Sequence, residues 1–428
     1  MPMSSDAVRF ALIGAGNRGQ GAFGEYALKA PERARFVAVV EPDAPRRDFF
    51  GQSHGIPPER RHADLAGFLR AANPDVEACV VATLENARLE PVREALARRW
   101  HVLTEKPLGT TPGEFLALYD AAAAVKGVAV AVCHQLRLVP GYALLKRLVD
   151  SGDYGRIMAV QHSENVSYKH MAHSFVRGSY NNDAMSPMLL QKCCHDLDML
   201  AWLVGKPAAR AASFGSLKYF RPENAPAGAP ARCADGCPAG DCPYNAEKLY
   251  LDPDVDPAYL RVMGVFDGNR DRLGGILRAG PFGRCVFRCA NNVVDSQSVA
   301  IQFADGVDLS FMLCAHNGVE RRITKISLTN GELHYDRRKP AIRAWRFSPQ
   351  VSERIAFPVP SGGHGGGDRL IMDNFTEAIR SGDHSRLITP IASSLEGHLL
   401  VFAAEAARAN GRVVDVREFE KECREGAH

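Results

Sequence analysis

The chain has 428 residues, of which 46% are hydrophobic and 24% charged, and 52 basic against 49 acidic side chains leave a formal net charge of +3. That length suits two or three domains with a core that needs no disulfide staples. The near-balance of charge excludes a general nucleic-acid binder, and the absence of any apolar run of 18 or more residues excludes a membrane span. The start, MPMSSDAVRF, has no basic segment followed by an apolar one. It reads as a short disordered lead rather than a signal peptide, and the chain as cytoplasmic.

Strands and helices alternate over the first 130 residues. Val8–Ile13 is an apolar run that stops at Gly14, and a helix is expected over 22–30. Between them lies Gly14-Ala15-Gly16-Asn17-Arg18-Gly19, a GxGxxG in strand–helix context. The first glycine permits the tight turn, the second close approach of a pyrophosphate, and the third close packing of helix on strand. The free N–H groups opening the helix then face the phosphates, so a dinucleotide is the implied ligand. Glu41 ends a second strand over 35–40. A carboxylate there accepts from the adenosine ribose hydroxyls and repels a 2′-phosphate, which favours NAD over NADP. Arg46 and Arg47 follow and could instead pair with that phosphate. Further strands are expected at 78–82, 101–104 and 128–133. Helices are expected at 89–99 and from the capping box Thr111-Pro112-Gly113-Glu114 to 124. The alternation implies an α/β fold whose parallel sheet carries helices on both faces, over residues 1–133.

Thr104-Glu105-Lys106-Pro107-Leu108 follows a short strand and precedes the capped helix. Together with the phosphate loop, it resembles the Gfo/Idh/MocA family of nicotinamide-dependent sugar and cyclitol oxidoreductases. The resemblance implies a Rossmann domain, then a C-terminal α+β domain over 134–428 with an open, mostly antiparallel sheet for substrate binding and oligomerisation. It also implies that Lys106 points at the substrate hydroxyl beside the nicotinamide. An ammonium there stabilises a developing alkoxide and relays a proton. Cofactor contacts are assigned to Gly14, Gly16, Asn17, Arg18, Gly19, Glu41, Thr83, Glu105 and Lys106. The run 188–203 looks like the family's catalytic helix. That helix carries an aspartate, a histidine four residues on, and a further aspartate before a Trp-Leu-x-Gly ending. Here His195, Asp198 and Trp202-Leu203-Val204-Gly205 match, while Gln191 stands where the first aspartate is expected. Gln191, His195 and Asp198 share one helical face. His195 is the expected general base or acid, whereas Gln191 can only orient a hydroxyl.

Beyond residue 133 the pattern changes. Longer strands are expected over 154–166 and 208–220. A succession follows at 285–294, 299–303, 307–315, 322–328, 341–347 and 354–357, and helices close the chain at 369–380 and 393–410. Strands with little helix between them imply an antiparallel sheet. In the first of these strands His162 and Glu164 share one face, and Gln161, Ser163 and Asn165 the other. The substrate-side candidates are Glu164, Arg177, His195 and His364, with Arg177 suited to an anionic group. His364 stands in Ser361-Gly-Gly-His-Gly-Gly-Gly-Asp368, whose glycines permit close backbone approach to a ligand. The likeness here extends to NAD-dependent glycosidases that have a comparable His-Gly-Gly segment.

Three of the eleven cysteines cluster as Cys233-x3-Cys237-x4-Cys242 in a loop over 221–245. In a reducing compartment such a cluster suggests metal more than disulfides, and thiolates make structural Zn²⁺ the expected ion. Cys194 is the candidate fourth ligand, leaving its helix about 100° from His195. Free thiols or a redox disulfide are the other readings.

The expected activity is NAD-dependent hydride transfer at a hydroxyl of a sugar, sugar derivative or cyclitol, with Lys106, His195 and Gln191 at the reacting centre. The same fold also suits an NAD-dependent glycosidase working by transient C3 oxidation, elimination and hydration, or a non-catalytic sugar or NAD sensor. The expected partners are a small carbohydrate or cyclitol and further copies of the chain, as homodimer or homotetramer, with no nucleic acid and no membrane.

Overall fold

The computed structural model describes residues 7–266, 269–360 and 362–426. The expected disordered lead and Ser361 fall outside them, apart from 7–10.

Side-chain alternation along β1 (Val8–Ile13) feeds two cores at once. Phe10 and Leu12 point to one face and Ala11 and Ile13 to the other, all buried. β1 lies between β2 (Ala34–Val40) and β4 (Ala78–Val81). With β3 (Arg61–His62), β5 (His101–Thr104) and β6 (Val130–Val132), the parallel sheet runs β3-β2-β1-β4-β5-β6. The order reverses between β1 and β4, which opens a crevice at the carboxyl ends of the strands. Val92 and Leu96 of the helix Leu89–Ala97 and Phe115 of Pro112–Ala123 bury the Ala11 face. The capping box forms in part: Thr111 accepts from the Glu114 amide, while the Glu114 carboxylate turns to Thr110.

The Phe10 face is closed by Phe23 and Tyr26 of the first helix and by Ile371, Met372 and Phe375 of the helix Gly367–Ser381. The packing of this N-terminal sheet is thus completed by residues more than 230 positions beyond its last strand. The first helix opens with a π-helical turn, Gly19–Gly24, before Glu25–Lys29.

The second sheet has nine strands. They are β7 (Ile157–Ser167), β8 (Ala208–Ser216), β9 (Ser296–Phe303), β10 (Asp308–Asn317), β11 (Arg321–Leu328), β12 (Gly331–Asp336), β13 (Ala341–Arg346), β14 (Val351–Ala356) and β15 (Val414–Asp415). Their order is β14-β13-β12-β11-β7-β10-β9-β8-β15, antiparallel throughout except for the parallel pair β7–β10. One face is covered by the helices Met188–Val204 and Leu395–Asn410. These two meet closely at Gly397, where a Cβ would lie 2.5 Å from the Asp198 Cα. The other face is open, with Phe214 76% exposed near Met312 and Ile323.

The expected strand at 285–294 does not form. Only a short turn, Val286–Arg288, stands there, and Val286, Phe287, Val293 and Val294 are buried as irregular chain. A short apolar run has the same signature in a buried loop as in a strand. β12 was not anticipated, nor were the helices Pro140–Asp150, Ala246–Tyr250, Pro257–Val262 and Leu273–Ala279. No helix among the described residues is long and apolar enough to cross a membrane.

Candidate functional site

The phosphate loop has the geometry its glycines imply. Gly14 has φ +97°, and a Cβ on it would stand 2.8 Å from the Ala82 carbonyl carbon. A Cβ on Gly19 would fall 2.2 Å from the Gly14 carbonyl oxygen, so the helix can pack on the strand only without a side chain there. Nothing lies within 4 Å of a Cβ on Gly16, which leaves the open space a diphosphate needs. Glu41 is buried, with Oε2 accepting from Ala15 N at 2.8 Å and Oε1 from Asp43 N at 3.1 Å. Each oxygen keeps a second lone pair for a ribose hydroxyl. Gly14, Pro42, Asp64, Thr83 and Glu90 line the adjoining cleft of about 680 Å³. These residues fit a dinucleotide, and the carboxylates oppose a 2′-phosphate. Arg47 donates instead to the Glu41 carbonyl at 2.7 Å.

Three assigned cofactor contacts, Asn17, Arg18 and Glu105, are engaged by protein. Arg18 Nε donates to Glu105 at 2.7 Å, and its two Nη atoms donate to Asp368 at 3.0 and 2.7 Å. It is therefore a clamp between the phosphate helix, β5 and the glycine-rich segment rather than a free phosphate ligand, and Glu105 is its partner. Asn17 Oδ1 accepts from Arg261 Nε at 2.8 Å. Arg261 belongs to the unanticipated helix Pro257–Val262, so an insertion in the second domain reaches the phosphate loop.

At the other end of the crevice, Lys106 leaves the end of β5 and its Nζ donates to the Gln191 backbone carbonyl at 2.6 Å. Lys106 thus meets the helix Met188–Val204 through the Gln191 backbone. His195 lies one turn further along, and the rings of His195 and His364 stand 6.2 Å apart, edge to face. His364 holds φ +52°, an uncommon backbone region for a residue with a side chain, flanked by the glycines that make the turn. Its Nδ1 is 3.0 Å from both oxygens of Asp368. Burial pushes the Asp368 carboxyl up, but Arg18 and His364 together hold it well below the usual carboxylate range.

Beneath His195 lies a buried ion network with no counterpart in the sequence reading. Arg322 of β11 donates to Asp196 at 2.5 and 3.1 Å and lies 2.8 Å from Glu164. Lys192 lies 3.3 Å from Glu164 and 3.0 Å from Glu320. Glu164, a candidate for substrate, is instead fully buried as a counter-ion, because the inner face of β7 packs under the catalytic helix. Arg322 Nη2 also stands 2.8 Å from His195 Nε2. Burial, reinforced by Arg322 and Lys106 and opposed by Asp196, holds the His195 imidazole far below its usual pKa.

Asp198 turns out to be a strut. It pairs with Arg137 through both oxygens at 2.7 and 2.6 Å, and both residues are buried. Arg177 does not reach the crevice; it is buried against the Arg284 and Tyr244 carbonyls and the Cys233 thiol. Cys194 is fully buried inside its helix close to Lys106, and burial raises its thiol to about 12. It does not line the cavity ringed by Cys233, Cys237 and Cys242, whereas Cys285 does. The expected site with Cys194 as fourth ligand is thereby corrected. As the side chains stand, no three His, Cys, Asp or Glu among the described residues are gathered to hold a metal ion.

Residues 8–134 match the Gfo/Idh/MocA family described as an oxidoreductase family with an NAD-binding Rossmann fold. The chain is 23% identical over 319 residues to YteT of Bacillus subtilis, which carries an oxidoreductase name, covering 72% of this chain and 73% of that protein. It is 28% identical over 182 residues to an inositol 2-dehydrogenase of Leifsonia xyli, covering 41% of this chain and 48% of that protein. The match thus spans about half of the inositol dehydrogenase. Among solved structures, levoglucosan dehydrogenase in complex with NADH and L-sorbose superposes with a TM-score of 0.71 at 18% identity, covering 96% of this chain and 99% of the other. An oxidoreductase from Agrobacterium radiobacter in complex with NAD⁺, L-tartaric acid and magnesium gives 0.68 at 16% identity, covering 96% and 99%.

Proposed function

We propose that the chain is a nicotinamide-dependent oxidoreductase of the Gfo/Idh/MocA family that oxidises or reduces a hydroxyl-bearing carbon of a sugar, sugar derivative or cyclitol, with NAD preferred. The observation that carries this reading is the approach of Lys106 Nζ to the Gln191 carbonyl at 2.6 Å, one helical turn before His195, whose ring stands 6.2 Å from that of His364. The dinucleotide, held by Gly14, Gly16, Glu41 and Thr83, supplies the hydride acceptor or donor.

The chain's own groups divide the proton work. A guanidinium only donates, so His195 Nε2 accepts from Arg322 and its proton sits on Nδ1. That Nδ1 is buried and makes no protein hydrogen bond. His195 is thus a donor to the substrate oxygen, beside the Lys106 ammonium, and not the general base the sequence pattern suggests. His364 has the opposite tautomer. Its Nδ1–H donates to the ionised Asp368, which leaves the Nε2 lone pair to take the hydroxyl proton as hydride leaves carbon. Polyhydroxylated substrates suit a site that offers both donors and an acceptor.

The open sheet face, with Phe214, Met312 and Ile323 exposed, is the surface assigned to self-association as homodimer or homotetramer. The eleven unpaired cysteines support a reducing, cytoplasmic setting. The reading is tested by following NADH and NADPH absorbance with a panel of cyclitols, aldoses and aryl glycosides, using wild type and Lys106→Met. Substrate-dependent NADH formation lost in Lys106→Met is expected. Aglycone release without net NADH would replace this reading with the redox-neutral elimination route.

A further inference from the structure

Four thiols from two distant segments ring one small cavity. Residues 231–233 and 283–285 form a short antiparallel bridge, centred on Arg232 and Arg284. Cys233 N donates to Gly283 O at 3.0 Å and Cys285 N to Ala231 O at 2.9 Å. In such a pairing 233 and 285 project from the same face. Cys237 and Cys242 come round in the turns that follow, closed by Cys242 N to Ala239 O at 3.2 Å. The side chain of Asn245 then caps the helix Ala246–Tyr250. Cys233, Cys237, Cys242 and Cys285 line the same cavity of about 10 Å³, walled by Tyr244 and Phe287.

A second observation points to an anion at this place. Arg177 is 2% exposed, yet among the described residues no carboxylate pairs with it. Its Nε and Nη2 donate to two neutral carbonyls, Arg284 O at 2.7 Å and Tyr244 O at 2.6 Å. Nη2 also lies 3.7 Å from Cys233 Sγ, and Nη1 has no partner. A buried guanidinium calls for a buried counter-charge. Four neutral thiols do not supply one, but a divalent cation held by four thiolates carries a net charge of −2.

We propose that Cys233, Cys237, Cys242 and Cys285 bind one structural Zn²⁺, with Arg177 as the neighbouring cation that hydrogen-bonds to the Cys233 sulfur. Binding replaces four S–H bonds by four Zn–S bonds and releases four protons to solvent, with no change of oxidation state. The four thiols line one cavity without being gathered as they stand, so binding requires their side chains to turn inward onto the ion. The tetrahedral all-sulfur set selects zinc over harder cations. The spacing alone could not reveal the fourth ligand, since Cys285 lies 43 positions beyond Cys242. The ion would pin the base of the insertion whose helix Pro257–Val262 brings Arg261 to the phosphate loop, so the site is structural and separate from the chemistry.

The test uses the full chain purified without added metal. Elemental analysis is expected to find about one zinc per chain. Titrating the wild type with a mercurial, with a zinc indicator present, is expected to release that zinc in step with modification of these four thiols. Cys285→Ser is expected to lose the metal and Cys194→Ser to keep it. The wild-type titration decides the matter even if Cys285→Ser misfolds. Zinc-free protein with all four thiols free would overturn the site. So would a mass lowered by two hydrogens, reporting a disulfide, or zinc retained by folded Cys285→Ser.

Discussion

Arg322 Nη2 lies 2.8 Å from His195 Nε2, and because a guanidinium only donates, this contact favours the tautomer with its proton on Nδ1. Replacing His195 by Ala is expected to lower kcat about 10²–10³-fold, as for loss of one preorganised donor to a developing oxyanion. His195→Gln, whose amide still donates, should recover part of that. Arg322→Lys keeps the charge beside Asp196 but removes the fork, and should introduce an ionisation of His195 into the pH profile of kcat. A wild-type acid limb that vanished in His195→Gln would show that His195 itself titrates and would remove the donor assignment.

His364 and Asp368 form the complementary pair. His364→Ala is expected to lower kcat for alcohol oxidation about 10²–10⁴-fold, the usual range for a general base. Burial, opposed by Asp368, holds the His364 pKa below its ordinary 6.5. The base therefore stays unprotonated through neutral pH, and kcat/KM in the oxidation direction should fall only on acidification below that value. An Asp368→Asn enzyme with unchanged kcat and pH profile would end the role of this dyad.

Acid stability follows from histidines buried neutral. Burial lowers His134 and His195 well below 6.5, and His398 to about 3. In the unfolded chain each regains a pKa near 6.5, so below that pH the unfolded state binds more protons and stability falls as pH drops. The expected slope is roughly 1.4 kcal/mol per pH unit for each histidine between about pH 6.5 and 5. Below that window Asp198 and Glu164, both raised chiefly by burial, act in the opposite sense. Urea melts at half-unit pH intervals measure it; a midpoint flat from pH 7 to 5 would contradict it.

Glu41 is the residue expected to set cofactor preference, because a carboxylate at the end of β2 repels a 2′-phosphate, and it ties down the Ala15 amide. Glu41→Ala should reduce kcat/KM with NAD⁺ and shift the NAD⁺/NADP⁺ ratio toward NADP⁺ by about tenfold, the equivalent of 1.4 kcal/mol. Equal losses with both cofactors would mean that Glu41 only shapes the loop.

Asp198 is expected to matter for stability and little for turnover. Asp198→Asn leaves the Arg137 guanidinium buried without its counter-ion, a change costing about 3–5 kcal/mol. The check is a denaturant midpoint alongside kcat at a temperature where the variant is folded. A large fall in kcat with unaltered stability would return Asp198 to the reacting centre.

The sequence by itself determined the parallel sheet, the glycine loop between its first strand and helix, the place of Glu41 at the end of β2, that of Lys106 after β5, and the helix that carries Gln191 and His195. Each of these is a local pattern, a glycine spacing or a hydrophobic period, whose physical consequence lies within a few residues. It did not reveal that Gly367–Ser381 closes the first core or that Arg322 reaches His195 from β11. Nor did it show that Arg18 is held by Glu105 and Asp368, or that Cys285 rather than Cys194 joins the thiol loop. Those outcomes depend on which distant segments are buried together. An arginine reads the same in sequence whether it meets solvent, a phosphate or a carboxylate 350 residues away. Only the tertiary fold, by removing water from such groups and forcing each to find a partner, assigned the protons and charges on which the chemistry turns.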